Sequence, residues 1–341
     1  MNGDRTPTIA GFAVAIVVLA VLFWLIGAEE ILRTLGQARI EFLAVAVGFA
    51  LVWLCCWGMS LHTVLRTLEH PVSVPTAVLV FSASMFSNAI TPFGQAGGEP
   101  IAALLISEAA DSDYETGLAA IASVDTLHFV PSIGLATIGL GTIVVRSVSL
   151  GRNLLFASVA VGLLTALFLG GVLVGWQFRY RIEQWVLRLF TPLIRGLFGV
   201  LPRVDTPLRA DVRDGIEGFF AAIDRVAGNR RTLLVASLYS MAGWLSLSVA
   251  LWASVAALGV TVSFVATLLV VPIASIAAIT PLPGGLGGVE AAFVALLIST
   301  TGVAASTAGA AIIIYRLATY WLPMAIGGTT ATVLGARYRA R

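Results

Sequence analysis

"AITPFGQAGGEPIAALLIS" at residues 89–107 returns in altered form as "AITPLPGGLGGVEAAFVALLIS" at residues 278–299. Both stretches interrupt long apolar runs with Pro, Gly and a single Glu. Their surroundings decide what such punctuation means.

Of the 341 residues, 58% are hydrophobic and only 11% charged, and the mean hydropathy is +0.97. The apolar runs reach the roughly 20 residues needed to cross a bilayer, so the chain reads as an all-α polytopic membrane protein. The long runs are 8–27, 42–63, 74–91, 116–145, 153–176, 232–258, 262–280 and 304–335, while 100–107 and 290–301 are too short to span alone. No small-residue cleavage site closes the first run, so it reads as a retained helix and not a signal peptide. Cys55 and Cys56 are sequence neighbours on one predicted helix, where they face different directions, and are expected to be inert lipid-facing or packing residues. A formal net charge of +2 gives no hint of nucleic acid as partner.

All twenty basic residues are arginine, and ten of them fall between Trp176 and Thr232. The positive-inside rule places this polar segment, and the C-terminal Arg337, Arg339 and Arg341, in the cytoplasm. Counting spans in both directions then puts both termini inside. It also makes 74–107 a hairpin that enters and leaves on the inner side, and 262–303 one that does so on the outer side. The acidic residues Glu108, Asp111, Asp113 and Glu115 fall on the inner side, but acidic residues weigh little in orientation. The expected organisation is an N-terminal membrane half (1–177), a cytoplasmic or interfacial segment (178–231) and a C-terminal membrane half (232–341).

In the polar segment, Arg181, Arg188 and Arg195 recur opposite Trp185, Leu189 and Phe190, which predicts an amphipathic interfacial helix. A second helix is predicted to start with Thr206 as N-cap and Pro207 at the first helical position, burying Leu208, Val212, Ile216, Phe219, Phe220 and Ile223.

The two punctuated stretches belong to a longer match. "ALLIS" at 103–107 and 295–299, Pro131 with Pro323, and Gly117 with Gly309 all share an offset of 192, whereas "AITP" recurs at 189. A three-residue insertion in the second Gly-rich loop reconciles the two. Joined to the opposed topology, this predicts an inverted repeat of about six full spans plus two broken, re-entrant hairpins.

Backbone groups within hydrocarbon must be satisfied, so breaks at membrane depth belong in the protein interior or beside water, where they mark candidate substrate sites. In the first break Gly97, Gly98 and Glu99 precede Pro100, which reads as the N1 proline of a short helix; in the second, Gly287 and Gly288 precede Glu290. Each glutamate either caps its helix or meets a ligand headgroup there. The 192 offset sets Arg316 opposite Val124 and Asp125 opposite Leu317. Either buried charge costs about 2.5–3.5 kcal/mol unpaired. Asp125 and Arg316 therefore either pair and lock the halves together, or serve separately, Arg316 on an anionic headgroup and Asp125 with His128 in handling charge or protons. Tyr315, Tyr320 and Trp321 flank Arg316 and line a cavity or belong to an interfacial belt. The soluble portions carry no nucleophile, Walker or metal-ligand signature, and the closely spaced glycines follow no strand, so neither an enzyme nor a bound cofactor is expected.

"PLPGGLGGVEAAF" (281–293), "YRLATYWLPMAIGG" (315–328) and "NAITPFGQAGGEP" (88–100) resemble the lysylphosphatidylglycerol synthase transmembrane-domain family. The resemblance implies a flippase-like module in the cell membrane. With Arg341 only a few residues past the last helix, it implies translocation without aminoacyl transfer. It also places Glu99, Glu290 and Arg316 in family-like motifs. The partner it implies is a membrane lipid, an anionic phospholipid or a polyprenyl phosphate, since similar modules are joined to glycosyltransferases acting on the latter. The alternative expectation is a membrane anchor or scaffold for a separately encoded lipid-modifying or glycosyl-transferring enzyme.

Overall fold

The computed structural model describes residues 26–91, 94–146, 209–279 and 282–340, with scattered positions between 17 and 24 and between 159 and 170. Among the described residues the chain is helical, with no strands. The N-terminal half contains α1 (Ala28–Leu35), α2 (Ile40–Thr67), α3 (Val74–Ile90), α4 (Gln95–Ala110) and α5 (Tyr114–Arg146). After α6 (Arg209–Gly228) come α7 (Arg230–Ala256), α8 (Phe264–Ser275), two short 3-10 turns at Ile276–Ile279 and Pro283–Gly285, α9 (Gly288–Thr301) and α10 (Ala305–Arg316). A π-turn at Leu317–Trp321 joins α10 to α11 (Leu322–Ala340). The 153–176 run, the 181–195 amphipathic pattern and the Thr206–Pro207 cap lie outside the described residues.

Among the described residues, five stretches are long and apolar enough to cross a membrane: Ile40–Thr67, Tyr114–Thr142, Arg230–Ala256, Pro283–Thr301 and Ala305–Leu334. The other apolar helices are shorter. At 1.5 Å per residue, α8 (12 residues), α4 (16) and α3 (17) reach about 18–26 Å, short of a hydrocarbon core of about 30 Å. α9 on its own has 14 residues and becomes a candidate span only when the preceding 3-10 turn is counted with it. α1 has no counterpart in the sequence reading. Gly27 turns the chain at a φ of 99°, and Ile31 on α1 is buried against Gly309 of α10.

Many hydroxyls inside these apolar helices are satisfied locally. The hydroxyls of Ser82, Ser84, Ser87, Ser248 and Ser254 each donate to the carbonyl four residues earlier, which removes the cost of burying them. Helix starts are fixed in the same way: Ser73 Oγ accepts the Thr76 N–H at 3.3 Å for α3, and Asn229 Oδ1 accepts the Thr232 N–H at 3.1 Å for α7.

Packing follows small residues, as expected where lipid removes any hydrophobic drive between helices. Gly58 lets α2 meet Val78 of α3, Gly117 seats α5 on the Ala103 carbonyl of α4, and Gly327 brings α11 onto the Ser82 carbonyl of α3. A side chain at any of these would strike backbone or the base of a side chain. The resulting contacts are reciprocal. α2 and α7 form the most extensive pair; α3 of the first half packs on α11 of the second, and α8 of the second half packs on α5 of the first. α6 lies against the start of α5, where Gly215 meets the Glu115 carboxylate, and it buries Ala222 and Val226 with Phe219 and Ile223 beside them.

The start of the first half-helix differs from the expectation. The helix begins at Gln95, after Gly94 takes a positive φ of 54°, so Gly97, Gly98, Glu99 and Pro100 all lie within α4 and do not precede it. Gly94 supplies the one backbone conformation the turn requires. Gly98 serves another purpose: it lets α4 close on the backbone of Asn88 in α3. Pro100 therefore lies inside the helix, in its second turn, and removes one intrahelical hydrogen bond there.

Candidate functional site

The second break is the more rigidly built. Gly287, at φ 86°, turns the chain into α9, and Glu290 stands at the third helical position. Its Oε2 accepts the Gly287 N–H at 2.6 Å, an N-terminal capping contact, while its Oε1 accepts the Arg316 Nε–H at 2.6 Å. Glu290 is therefore both cap and ion-pair partner, and it is only 6% exposed. The Arg316 guanidinium lies 4.1 Å from the centre of the Tyr320 ring, which offers its negative face to the cation. Two donors here are left over: Arg316 Nη2 and the Tyr320 hydroxyl are buried without hydrogen-bond partners. Tyr320 closes against Gly284, where a side chain would strike its hydroxyl. Tyr315 is buried and packs on Phe293 of α9 with ring centres 5.1 Å apart, so it holds α10 to α9.

The first break is built from acids. Glu99 of α4 and Asp125 of α5 are electrostatic neighbours, with Gln95 beside Asp125. Glu99 is partly buried and Gln95 exposed, whereas Asp125 Oδ2 is enclosed and without a partner of good geometry. Asn88 Oδ1, on the facing end of α3, is likewise buried and unpartnered.

The expected alternative of an Asp125–Arg316 pair is corrected by these contacts, since Arg316 bonds Glu290 and Asp125 neighbours Glu99. The spacing between the charged residues gives a different offset from that of the apolar motifs. Asp125 follows Glu99 by 26 residues, and Arg316 follows Glu290 by the same 26, so the two partners are equivalent at an offset of 191 and not 192. One residue is a 100° rotation on a helix, enough to turn a matched pair into apparent strangers.

The two breaks meet. The 3-10 turn before the second break lies against Gly94, whose Cβ position is 3.3 Å from the Ala278 carbonyl oxygen. Ala89 at the end of α3, Leu286 and Tyr320 form one small buried cluster with Met324 beside it. Tyr320 thus lies against Gly284 of the second break, shares a cluster with Ala89 at the end of α3, and holds Arg316 over its ring. Gly287 and Gly288 lead the chain into α9 here, whereas Gly98 packs α4 on α3 and Gly97 lies within α4.

His128 is placed elsewhere. Its ring stacks on Trp57 at 4.0 Å and 22°, Phe81 stands edge-on at 6.2 Å, and Trp244 Nε1–H donates to its carbonyl at 2.8 Å. Its described contacts are with α2, α3 and α7, and they make it part of an aromatic core and not a companion of Asp125. Sequence reasoning passed over Asn88 and Gln95, the polar residues on either side of the first break, and set Tyr320 aside as a flanking aromatic. A signal existed for Tyr320, because i and i+4 share a helix face and place it beneath Arg316.

The chain has relatives of similar size in archaea. It is 26% identical to a UPF0104 membrane protein of Methanothermobacter thermautotrophicus over 97% of this chain and 94% of that one. It is 22% identical to a UPF0104 membrane protein of Pyrococcus horikoshii, over 92% and 93% respectively. It is also 25% identical to the glycosyltransferase AglD of Haloferax volcanii, across 91% of this chain but 51% of that protein. The family described as Lysylphosphatidylglycerol synthase TM region matches residues 8–327, a range that takes in both breaks and the Glu290–Arg316 pair. Across that range, the membrane-crossing helices and the two joined breaks are those of a membrane protein, and the chain belongs to the lysylphosphatidylglycerol synthase transmembrane-region family.

Proposed function

We propose that this protein is a lipid translocase of the flippase or scramblase kind. It moves a phospholipid or a polyprenyl-phosphate-linked lipid between the leaflets of the cytoplasmic membrane without chemical change. The observation that carries this reading is the meeting of the two breaks around unsatisfied polar atoms. Arg316 Nη2 and the Tyr320 hydroxyl are donors lacking acceptors, and a headgroup phosphate supplies acceptors of the right kind. The reciprocal packing of α3 on α11 and α8 on α5, with the shared 26-residue spacing, supports reading the halves as an inverted repeat whose two short hairpins re-enter the membrane. In such an arrangement the hairpins rock against each other, the headgroup passes between their tips, and the tails stay in lipid.

The test is reconstitution into phosphatidylglycerol vesicles carrying a fluorescent phosphatidylglycerol or a fluorescent polyprenyl phosphate in both leaflets. Dithionite quenching is expected to remove more than the outer-leaflet half of the signal, and faster than in empty vesicles. Equal rates in both would overturn the reading.

A second reading has an observation of its own. AglD is named a glycosyltransferase, and this chain matches about half of it, so the module also suits a membrane platform for a separately encoded glycosyl-transferring enzyme. Substitutions at the breaks would then leave glycan transfer by the partner intact, whereas the translocase reading expects them to abolish lipid movement.

A further inference from the structure

We propose that Glu290 sets which headgroups the junction accepts: by neutralising Arg316 it admits a lipid phosphodiester of one negative charge and rejects a phosphomonoester of two. This deepens the translocase reading and rests on the junction being a headgroup site.

Positive charge is scarce at the junction. Among the described residues, Arg316 is the only arginine in the interior of an apolar stretch long enough to cross a membrane; Arg66, Arg230 and Arg231 stand at the ends of theirs. The chain has no lysine. The first break, which meets the second where Gly94 faces the Ala278 carbonyl, brings the acid Glu99 and no basic residue.

That one cation is already matched. Arg316 Nε–H donates to Glu290 Oε1 at 2.6 Å, and both side chains are largely buried. The pair is neutral as a unit, so it holds no surplus positive charge to set against a doubly charged group. The positive end of α9 is filled as well, because Glu290 Oε2 accepts the Gly287 N–H at 2.6 Å.

What remains is a pair of donors. Arg316 Nη2 and the Tyr320 hydroxyl are buried and unpartnered, and the guanidinium lies 4.1 Å from the centre of the Tyr320 ring. A phosphodiester has two free oxygens sharing one charge, which suit two donors beside a neutral ion pair. A phosphomonoester has three free oxygens and, above a second pKa of about 6, close to two charges. The extra charge meets the Glu290 carboxylate where little water screens it, at a cost of about tenfold or more in affinity. Phosphodiesters come from two sources in a membrane, glycerophospholipids and glycosylated polyprenyl phosphates, and the filter is the same for both.

Equilibrium binding to the purified full chain in maltoside micelles tests the filter with two matched pairs of probes. One pair is phosphatidylglycerol and phosphatidate; the other is glucosyl polyprenyl phosphate and polyprenyl phosphate. At pH 8 the diester of at least one pair is expected to bind about tenfold or more tighter than its monoester, and the tighter diester identifies the source. At pH 5 the monoesters have lost most of their second charge, and the gap is expected to shrink to about threefold or less. Glu290→Gln keeps the shape of the side chain and leaves Arg316 a net cation, so it is expected to close the gap at pH 8 by strengthening monoester binding. Should that variant not fold, the wild-type pH dependence still decides. Equal affinities within both pairs at pH 8, a gap that persists at pH 5 or in folded Glu290→Gln, or binding of no probe overturns the proposal. Movement in vesicles is read separately: selective binding without movement removes the translocase reading and leaves the filter standing.

Discussion

The two breaks share a plan and differ in charge. Each places a glutamate near the start of a short helix and a partner 26 residues later on the next helix. In the second the partner is Arg316, the carboxylate is 6% exposed, and both its oxygens are bonded. In the first the partner is Asp125, the glutamate is only partly buried, and one aspartate oxygen has no partner. One break thus carries a closed, ion-paired tip and the other a more open tip with acceptor capacity to spare. The lesson is that two breaks with the same 26-residue spacing between glutamate and partner can differ in kind, because the side chain at the partner position decides whether the glutamate is neutralised.

The largest expected effect comes from opening the closed tip. Arg316→Ala leaves Glu290 buried without its cation, a loss of about 3–5 kcal/mol for a broken buried pair, read as earlier unfolding in detergent. The double variant Glu290→Ala, Arg316→Ala is expected to recover part of that loss, and a simple sum of the two single losses would deny the coupling. Next is Gly98→Ala, which pushes a methyl group into the Asn88 backbone and is expected to cost about 1–3 kcal/mol by splaying α3 from α4. Wild-type unfolding in that variant would mean the first hairpin is looser than described. The smallest effect on stability is Tyr320→Phe. Its hydroxyl has no partner and its ring still faces Arg316, so unfolding should change by about 0.5 kcal/mol or less, while lipid movement falls severalfold if the hydroxyl meets the headgroup.

Much of this was legible in the sequence. The apolar runs announced membrane-crossing helices, and the Pro/Gly punctuation announced two breaks, because hydrocarbon tolerates neither exposed backbone nor stray charge. The glutamates and Arg316 stood out for the same reason. What stayed hidden was register. Gly94, Gly97 and Gly98 are all permissive, and only packing against Asn88 and Ala278 decides which of them turns and which of them packs. Matching the helices by apolar "ALLIS" motifs gave an offset of 192, because apolar residues repeat at many spacings, whereas the charged pair fixes 191. His128 misled because a polar side chain in an apolar helix invites a functional reading, and its stack on Trp57 is a tertiary fact that no local pattern encodes.

The π-turn at Leu317–Trp321 carries a consequence of its own. A helix with one wide turn holds one residue more than its length requires, and that surplus can be handed along the chain like a ruck in a carpet. Each one-residue step turns the segment it passes by about 100° while both ends of the rod stay docked. Arg316 sits at the edge of that wide turn, paired with Glu290 on one side and lying over the Tyr320 ring within the turn on the other, so the surplus residue is placed where the ion pair and the aromatic ring are brought together.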